Sequence, residues 1–404
     1  MQDTTTKGFT HRIGLTGLGI LRVQRSFLWL ACLGWLTLSG ADYQTQPLLP
    51  LEASSDAGPL FERLTPQQTG VDFRMTLPEV SERFRELLQL AALGGITTGD
   101  YDQDGLSDFF VSSPLGGSQL YRNLGGFRFE EVTQAAGLDF AGFWATGSNF
   151  IDIDNDGLLD LYVCGYRMPN RLYLNQGPDP SGITHFREAA SDMGLAFNGG
   201  SMQMYFADID LDGDLDAYLA TTAIPPPPGV KFQVRFEGNK PVVPEELKEY
   251  WGLIYLPGEK AHPSENGQYD HLFLNEGDKF REITQVAGID GPYLTLGAIW
   301  WDFNQDRWPD LYVANDYLGP DMLYLNQRDG TFKEVIKERI PHTPWSSMGV
   351  DIGDLNNDGW MDLIACDMMG SSHYRRQVML GEGSQKAWFL SFAEPRQYSR
   401  NAVY

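Results

Sequence analysis

Cysteine is nearly absent: the 404 residues contain three. Only Cys164 and Cys366 lie beyond the first forty residues, some two hundred positions apart. That excludes a disulfide framework and every zinc-binding spacing. Histidine is scarce as well. His185, His262, His271, His342 and His373 fall into no recognisable catalytic constellation. The chain also lacks a nucleophile elbow and a phosphate-binding glycine loop. Basic residues are few: 30 Lys and Arg stand against 54 Asp and Glu, a net charge of −24. A chain this acidic repels phosphate, which excludes nucleic acid as a partner. Long apolar runs are missing too. The longest, Phe27 to Leu38, has 12 residues, short of the ~20 that a membrane span requires. It follows Lys7, Arg12, Arg22 and Arg25 and precedes the small residues Ser39-Gly40-Ala41. This is the order of an export signal, residues 1–41, with cleavage leaving Asp42 first. The mature chain would carry no membrane span and would be periplasmic, surface-bound or secreted. An uncleaved anchor is the alternative.

What is abundant is aspartate in one recurring pattern. The stretch Asp152-Ile153-Asp154-Asn155-Asp156-Gly157-Leu158-Leu159-Asp160 puts carboxylates at positions 1, 3, 5 and 9 and glycine at 6. Alternate acids of a turning backbone converge, and unpaired they repel. A hard divalent cation removes that cost, and Ca²⁺ accepts six to eight oxygens in loose geometry. Glycine at position 6 allows a sharp turn at positive φ. The pattern recurs as Asp100, Asp102, Asp104, Asp108 and as Asp208, Asp210, Asp212, Asp216. It recurs again as Asp302, Asn304, Asp306, Asp310 and as Asp354, Asn356, Asp358, Asp362. The 302–310 loop departs furthest, with Arg307 where glycine is expected. The patterned positions of the five loops account for 18 of the 54 acidic residues, and the loops have room for up to five Ca²⁺ ions. The spacing is not that of an EF-hand, which closes with Glu at position 12.

Each loop sits in the same context. Strands read as Asp160-Leu161-Tyr162-Val163, then Leu172-Tyr173-Leu174-Asn175, then Phe129-Glu130-Glu131-Val132 and its copies. Loop-to-loop steps are 52, 56, 94 and 52 residues. Four short strands per ~50 residues is the period of a β-propeller blade. The expected organisation is therefore a signal at 1–41, a linker at 42–60 and an all-β propeller over 61–404. Phe61 to Thr65 matches a fourth strand. Residues 78–92 read as an amphipathic helix with Val80, Phe84, Leu87, Leu88 and Ala91 on one face. The long step hides an insertion at 223–268, with Pro225 to Pro228 and a short helix expected from Pro244 to Trp251. The final Arg400-Asn401-Ala402-Val403-Tyr404 matches a third strand. The expectation is about four full blades, one partial blade and a closing strand of a truncated propeller. Ser112, Cys164, Ala220, Ala314 and Cys366 stand at one small-residue position, so both thiols are expected free and buried.

These loops, the L-Y-x-N and F-x-E-V strands and Ser347-Met348-Gly349-Val350-Asp351 resemble the FG-GAP/VCBS repeats of integrin-α-type propellers. They resemble more closely the cartilage acidic protein-like family, whose members carry such repeats ahead of an ASPIC/UnbV domain. The resemblance implies a seven-bladed propeller when complete, with Ca²⁺ held by the Asp and Asn residues named above. It implies an exported binding or adhesion module that meets a protein or glycan on the insertion-bearing face. The alternatives are a Ca²⁺-assisted polysaccharide lyase or hydrolase and a purely structural scaffold.

Overall fold

Runs such as Asp160-Leu-Tyr-Val and Leu172-Tyr-Leu pair because alternate side chains can be buried on both faces of a sheet whose faces are both covered. The computed structural model describes residues 61–75 and 94–404, except 115, 228, 256–260, 266, 317–318, 369, 371, 373 and 376–393. The signal, the linker and the helix expected at 78–92 lie outside the described residues. Leu64–Tyr404 is one compact unit; of the preceding unit only residues 61–63 are described, all exposed.

The protein is all-β and propeller-like. Strands β1 (Ile96–Gly99), β2 (Asp108–Val111), β3 (Gln119–Asn123) and β4 (Phe129–Glu131) form the first antiparallel four-stranded sheet. The second is β5 (Ala145–Ile151), β6 (Asp160–Pro169), β7 (Arg171–Pro178) and β8 (Thr184–Glu188). The third opens with β9 (Asn198–Ala207) and β10 (Asp216–Thr221). The insertion interrupts it with two hairpins, β11 (Arg235–Glu237) with β12 (Lys240–Val242) and β13 (Trp251–Tyr255) with β14 (Ala261–Glu265). The third sheet then resumes as β15 (His271–Asn275) and β16 (Phe280–Glu282). The fourth is β17 (Leu294–Trp301), β18 (Asp310–Asp316), β19 (Met322–Asn326) and β20 (Phe332–Glu334). After β21 (His342–Pro344) come β22 (Ser347–Gly353) and β23 (Asp362–Asp367). β24 (Arg396–Tyr398) pairs in parallel with β21, and β25 (Ala402–Val403) completes a three-stranded sheet with β22 and β23. The C-terminal residues thus form the third strand that their sequence suggests.

First strands neighbour one another in series, β1 with β5, then β9, β17 and β22. In the first four loops the aromatic two residues past the last Asp fills the space between sheets. Phe110, Tyr162, Tyr218 and Tyr312 are all fully buried there. Burying each such side chain stabilises the fold by about 2–3 kcal/mol.

Three expectations need correction. Phe61 to Thr65 is not a strand, and Phe61 is 90% exposed. What forms is the turn that follows a fourth strand: α1 (Pro66–Thr69), ended by Gly70 at φ 79°. The same turn ends α2 (Ala190–Met193) and α3 (Thr284–Ala287). A Cβ at Gly194, which closes α2, would lie 2.7 Å from the Phe280 carbonyl of the next sheet. Without a partner strand among the described residues, 61–65 has nothing to pair with. The helix expected from Pro244 to Trp251 is one turn, Glu245–Leu247, because Trp251 enters β13. Cys164 is free and buried, but Cys366 is free and exposed. It lies on the last sheet, past which no further sheet packs among the described residues.

Candidate metal centre

All five loops fold on one hydrogen-bond template. The position-1 carboxylate accepts the amides of positions 5 and 6. In the second loop Asp156 N and Gly157 N donate to Asp152 at 3.1 and 3.0 Å. The position-5 carboxylate accepts the amide of position 7, as when Leu158 N donates to Asp156 at 2.8 Å. In the first four loops the position-9 carboxylate is buried and spends one oxygen on each side of the loop, whereas Asp362 of the fifth is half-buried and accepts from Leu355 N. Ile153 N donates to Asp160 Oδ2 at 3.1 Å, and Asn175 N donates to Oδ1 at 2.7 Å. The asparagine of L-Y-x-N thus ties the third strand to the loop. Its side chain continues the tie: Asn175 Nδ2 donates to the Leu159 carbonyl and to the Tyr101 carbonyl of the preceding loop, at 3.0 and 2.9 Å.

The template brings carboxylates together. Oxygens of Asp100, Asp102 and Asp108 lie within 4.8 Å of one another, as do those of Asp152, Asp154 and Asp160 and those of Asp208, Asp210 and Asp216. Asp104, Asp156 and Asp212 are not in these groups; their carboxylates turn back to the loop amides. In the fourth loop Asp302, Asp306 and Asp310 make the same backbone bonds, with Asn304 Oδ1 accepting from Asp306 N at 3.0 Å. In the fifth loop Asp354, Asn356 and Asp358 do likewise, and Asp362 keeps the bond from Leu355 N. Arg307 takes the glycine's turn at φ 73°, where the glycines of the other loops have φ 87–98°.

Burial makes these groups expensive to ionise. It pushes Asp108, Asp160 and Asp216 up to about 7 and Asp310 up to about 6, against the pull of two backbone amides on each. Burial also raises Asp102, Asp154 and Asp210, and neighbouring carboxylates add to the shift. One oxygen of Asp210 is buried without a hydrogen-bond donor. Clustered oxygens of this kind, all carboxylate or amide, fit a hard divalent cation.

Sequence reasoning missed two recurring features. Position 4 is also left-handed, at Gln103, Asn155, Leu211, Gln305 and Asn357 with φ 57–61°. In the first two loops its side chain reaches the next loop: Gln103 Nε2 donates to the Gly157 carbonyl at 2.8 Å, and Asn155 Nδ2 to Asp214 at 2.8 Å. The second is a polar residue two positions before each L-Y, at Ser118, Asn170, Asp270, Asp321 and Asn401. Each accepts the amide five residues past its loop's last aspartate. Its recurrence is legible in the sequence, but its role depends on strand pairing.

Three stretches, residues 100–163, 152–219 and 302–365, match the FG-GAP-like repeat family. The chain carries FG-GAP-like repeats. All three matched stretches begin on the first aspartate of a loop. The chain is similar to cartilage acidic protein 1 of Xenopus tropicalis, 24% identical over 195 residues, covering 48% of this chain and 28% of that protein. It is likewise similar to cartilage acidic protein 1 of Mus musculus, 24% identical over 225 residues, covering 52% and 33%. The FG-GAP-like chain thus spans a third or less of these relatives' length in the match. An Agrocybe aegerita lectin that recognises non-reducing terminal N-acetylglucosamine overlaps 69% of the chain and 75% of its own, at 16% identity and a TM-score of 0.32. At that overlap neither fold nor ligand transfers.

Proposed function

We propose that this chain is an exported propeller module that binds a protein or glycan partner and is stapled by calcium. The observation that carries the calcium reading is the threefold grouping of carboxylate oxygens within 4.8 Å. Asp100, Asp102 and Asp108, with their equivalents in the other loops, would hold the ions. The ion would supply positive charge at a fixed point, and the chain's own amides orient the carboxylates around it. Binding to the folded loops alone stabilises the fold by mass action. The repeats and the similarity to cartilage acidic protein 1 support an interaction module over an enzyme. Two of the histidines support it too. His185 pairs with Asp179 at 3.1 Å and His271 with Glu282 at 2.8 Å, each within an ordinary surface pair. The partner would meet the insertion hairpins β11–β12 and β13–β14, since long insertions in a rigid scaffold commonly carry recognition.

Thermal melting followed by tryptophan fluorescence tests the reading. The expected transition moves up by more than ~10 °C on adding Ca²⁺ to the chelated chain, with Mg²⁺ much less effective, because Mg²⁺ demands tighter octahedral geometry. A transition indifferent to Ca²⁺ would overturn it.

A further inference from the structure

Arg122 places a positive charge where the other L-Y-x-N strands have none. It stands at the variable position of that motif, which in the next three sheets is Leu174, Leu274 and Leu325. Its Nε lies 2.6 Å from Asp102 Oδ2, and an Nη lies 3.5 Å from Asp104 Oδ2. The Asp102 side chain is only 5% exposed, and it belongs to the carboxylate group of the first loop. The guanidinium therefore caps the cluster on its Asp102 side, with a third of the Arg122 side chain exposed. The contact is one of charge, since no aligned hydrogen bond joins Arg122 Nε to Asp102 Oδ2. Among the described residues no Lys or Arg reaches the equivalent Asp154 or Asp210 within ion-pair distance. The fourth loop also has an arginine, Arg328, but it pairs with Asp306 at position 5, at 2.7 Å.

We propose that Arg122 is the resident cation of the first loop. This loop then keeps its shape without metal, and a divalent ion enters only by displacing the guanidinium. The second and third loops have no such substitute and depend on the ion. The inference rests on the calcium reading of those loops. Its physical basis is simple: a guanidinium and a dication a few ångströms apart repel, so the two compete for one set of carboxylates.

Calorimetric titration of the chelated full chain with Ca²⁺ decides it. Arg122→Leu, which installs the residue of the other sheets, should create one additional tight site or tighten one by at least ~tenfold. Asp102→Ala should leave the number of tight sites unchanged, whereas Asp154→Ala should remove one. In chelator Arg122→Leu should melt below wild type and Arg122→Lys close to it. A wild type that binds, with Arg122→Leu gaining nothing and Asp102→Ala losing one ion, overturns this inference alone. A wild type that binds no Ca²⁺ overturns the calcium reading and this inference with it. Should Arg122→Leu not fold even in Ca²⁺, Asp102→Ala decides: an unchanged count supports the resident arginine, and a lost ion refutes it.

Discussion

Arg307 shows how strictly the loop dictates its backbone. It is exposed, it holds φ 73°, and its amide still donates to Asp302 at 2.7 Å, as the glycine amide does in the other loops. An L-residue in this region costs about 1–2 kcal/mol, partly offset because glycine would lose more freedom on folding. Arg307→Gly should therefore stabilise the chelated protein by up to about 1 kcal/mol, while Arg307→Lys, with the same charge and the same strain, should be neutral. Denaturant midpoints of the three proteins check this. A glycine variant less stable than wild type would mean that the arginine side chain contributes more than its backbone costs. The departure at this position was legible from the sequence, but that the turn survives it was not. Side-chain identity proposes a φ, and the four hydrogen bonds of the surrounding template impose it.

Between elements, the sheets are joined by buried carboxylates that lie outside the loops. Asp270 precedes β15 and is almost fully buried; it accepts Tyr218 Oη at 2.6 Å, Thr221 N at 2.6 Å and, from the next sheet, Thr295 Oγ1 at 2.6 Å. Asp321 repeats the arrangement with Tyr312, Asn315 and Ser347. No basic side chain pairs with either among the described residues, and burial pushes Asp270 up to about 6 and Asp321 up to about 7. Both folded values exceed the unfolded value of about 3.9. Their contribution to stability is therefore complete below about pH 4 and is lost as pH rises through 6 to 7. With the loops saturated by Ca²⁺, wild type should lose up to ~1.4 kcal/mol per pH unit more than Asp270→Asn between pH 4 and 6. Parallel stability profiles for the two proteins would show that Asp270 stays ionised in the fold. These links explain which part of the structure a sequence reader sees. The loop and its strands are local, so spacing alone reveals them. Contacts such as Thr295 with Asp270 or Gln103 with Gly157 join residues 25 and 54 positions apart and exist only once the sheets stand side by side. The same limit produced the errors at Phe61 and Cys366: each has the right residue type for a packed strand, and neither has the neighbour that would cover it.

For the whole molecule the deciding quantity is charge. The net charge is −24, and 19 of the carboxylates, Asp214 included, sit in five loops. Within three of those loops oxygens of different carboxylates approach to 4.8 Å or less. Repulsion at that range is not screened at low ionic strength, where the Debye length is about 30 Å at 0.01 M, but it weakens when that length falls to about 3 Å at 1 M. The protein without metal should therefore be stabilised markedly by NaCl. Once Ca²⁺ fills the loops the local repulsion becomes attraction, and added salt has little left to relieve. The expected result is a melting temperature that climbs with NaCl in chelator and is nearly flat in saturating Ca²⁺. The first loop, already holding Arg122, should contribute least to the climb, so Arg122→Leu should steepen it. Equal salt slopes with and without Ca²⁺ would mean that the acidity of this chain acts through its surface as a whole, and that the loops carry no charge problem for an ion to solve.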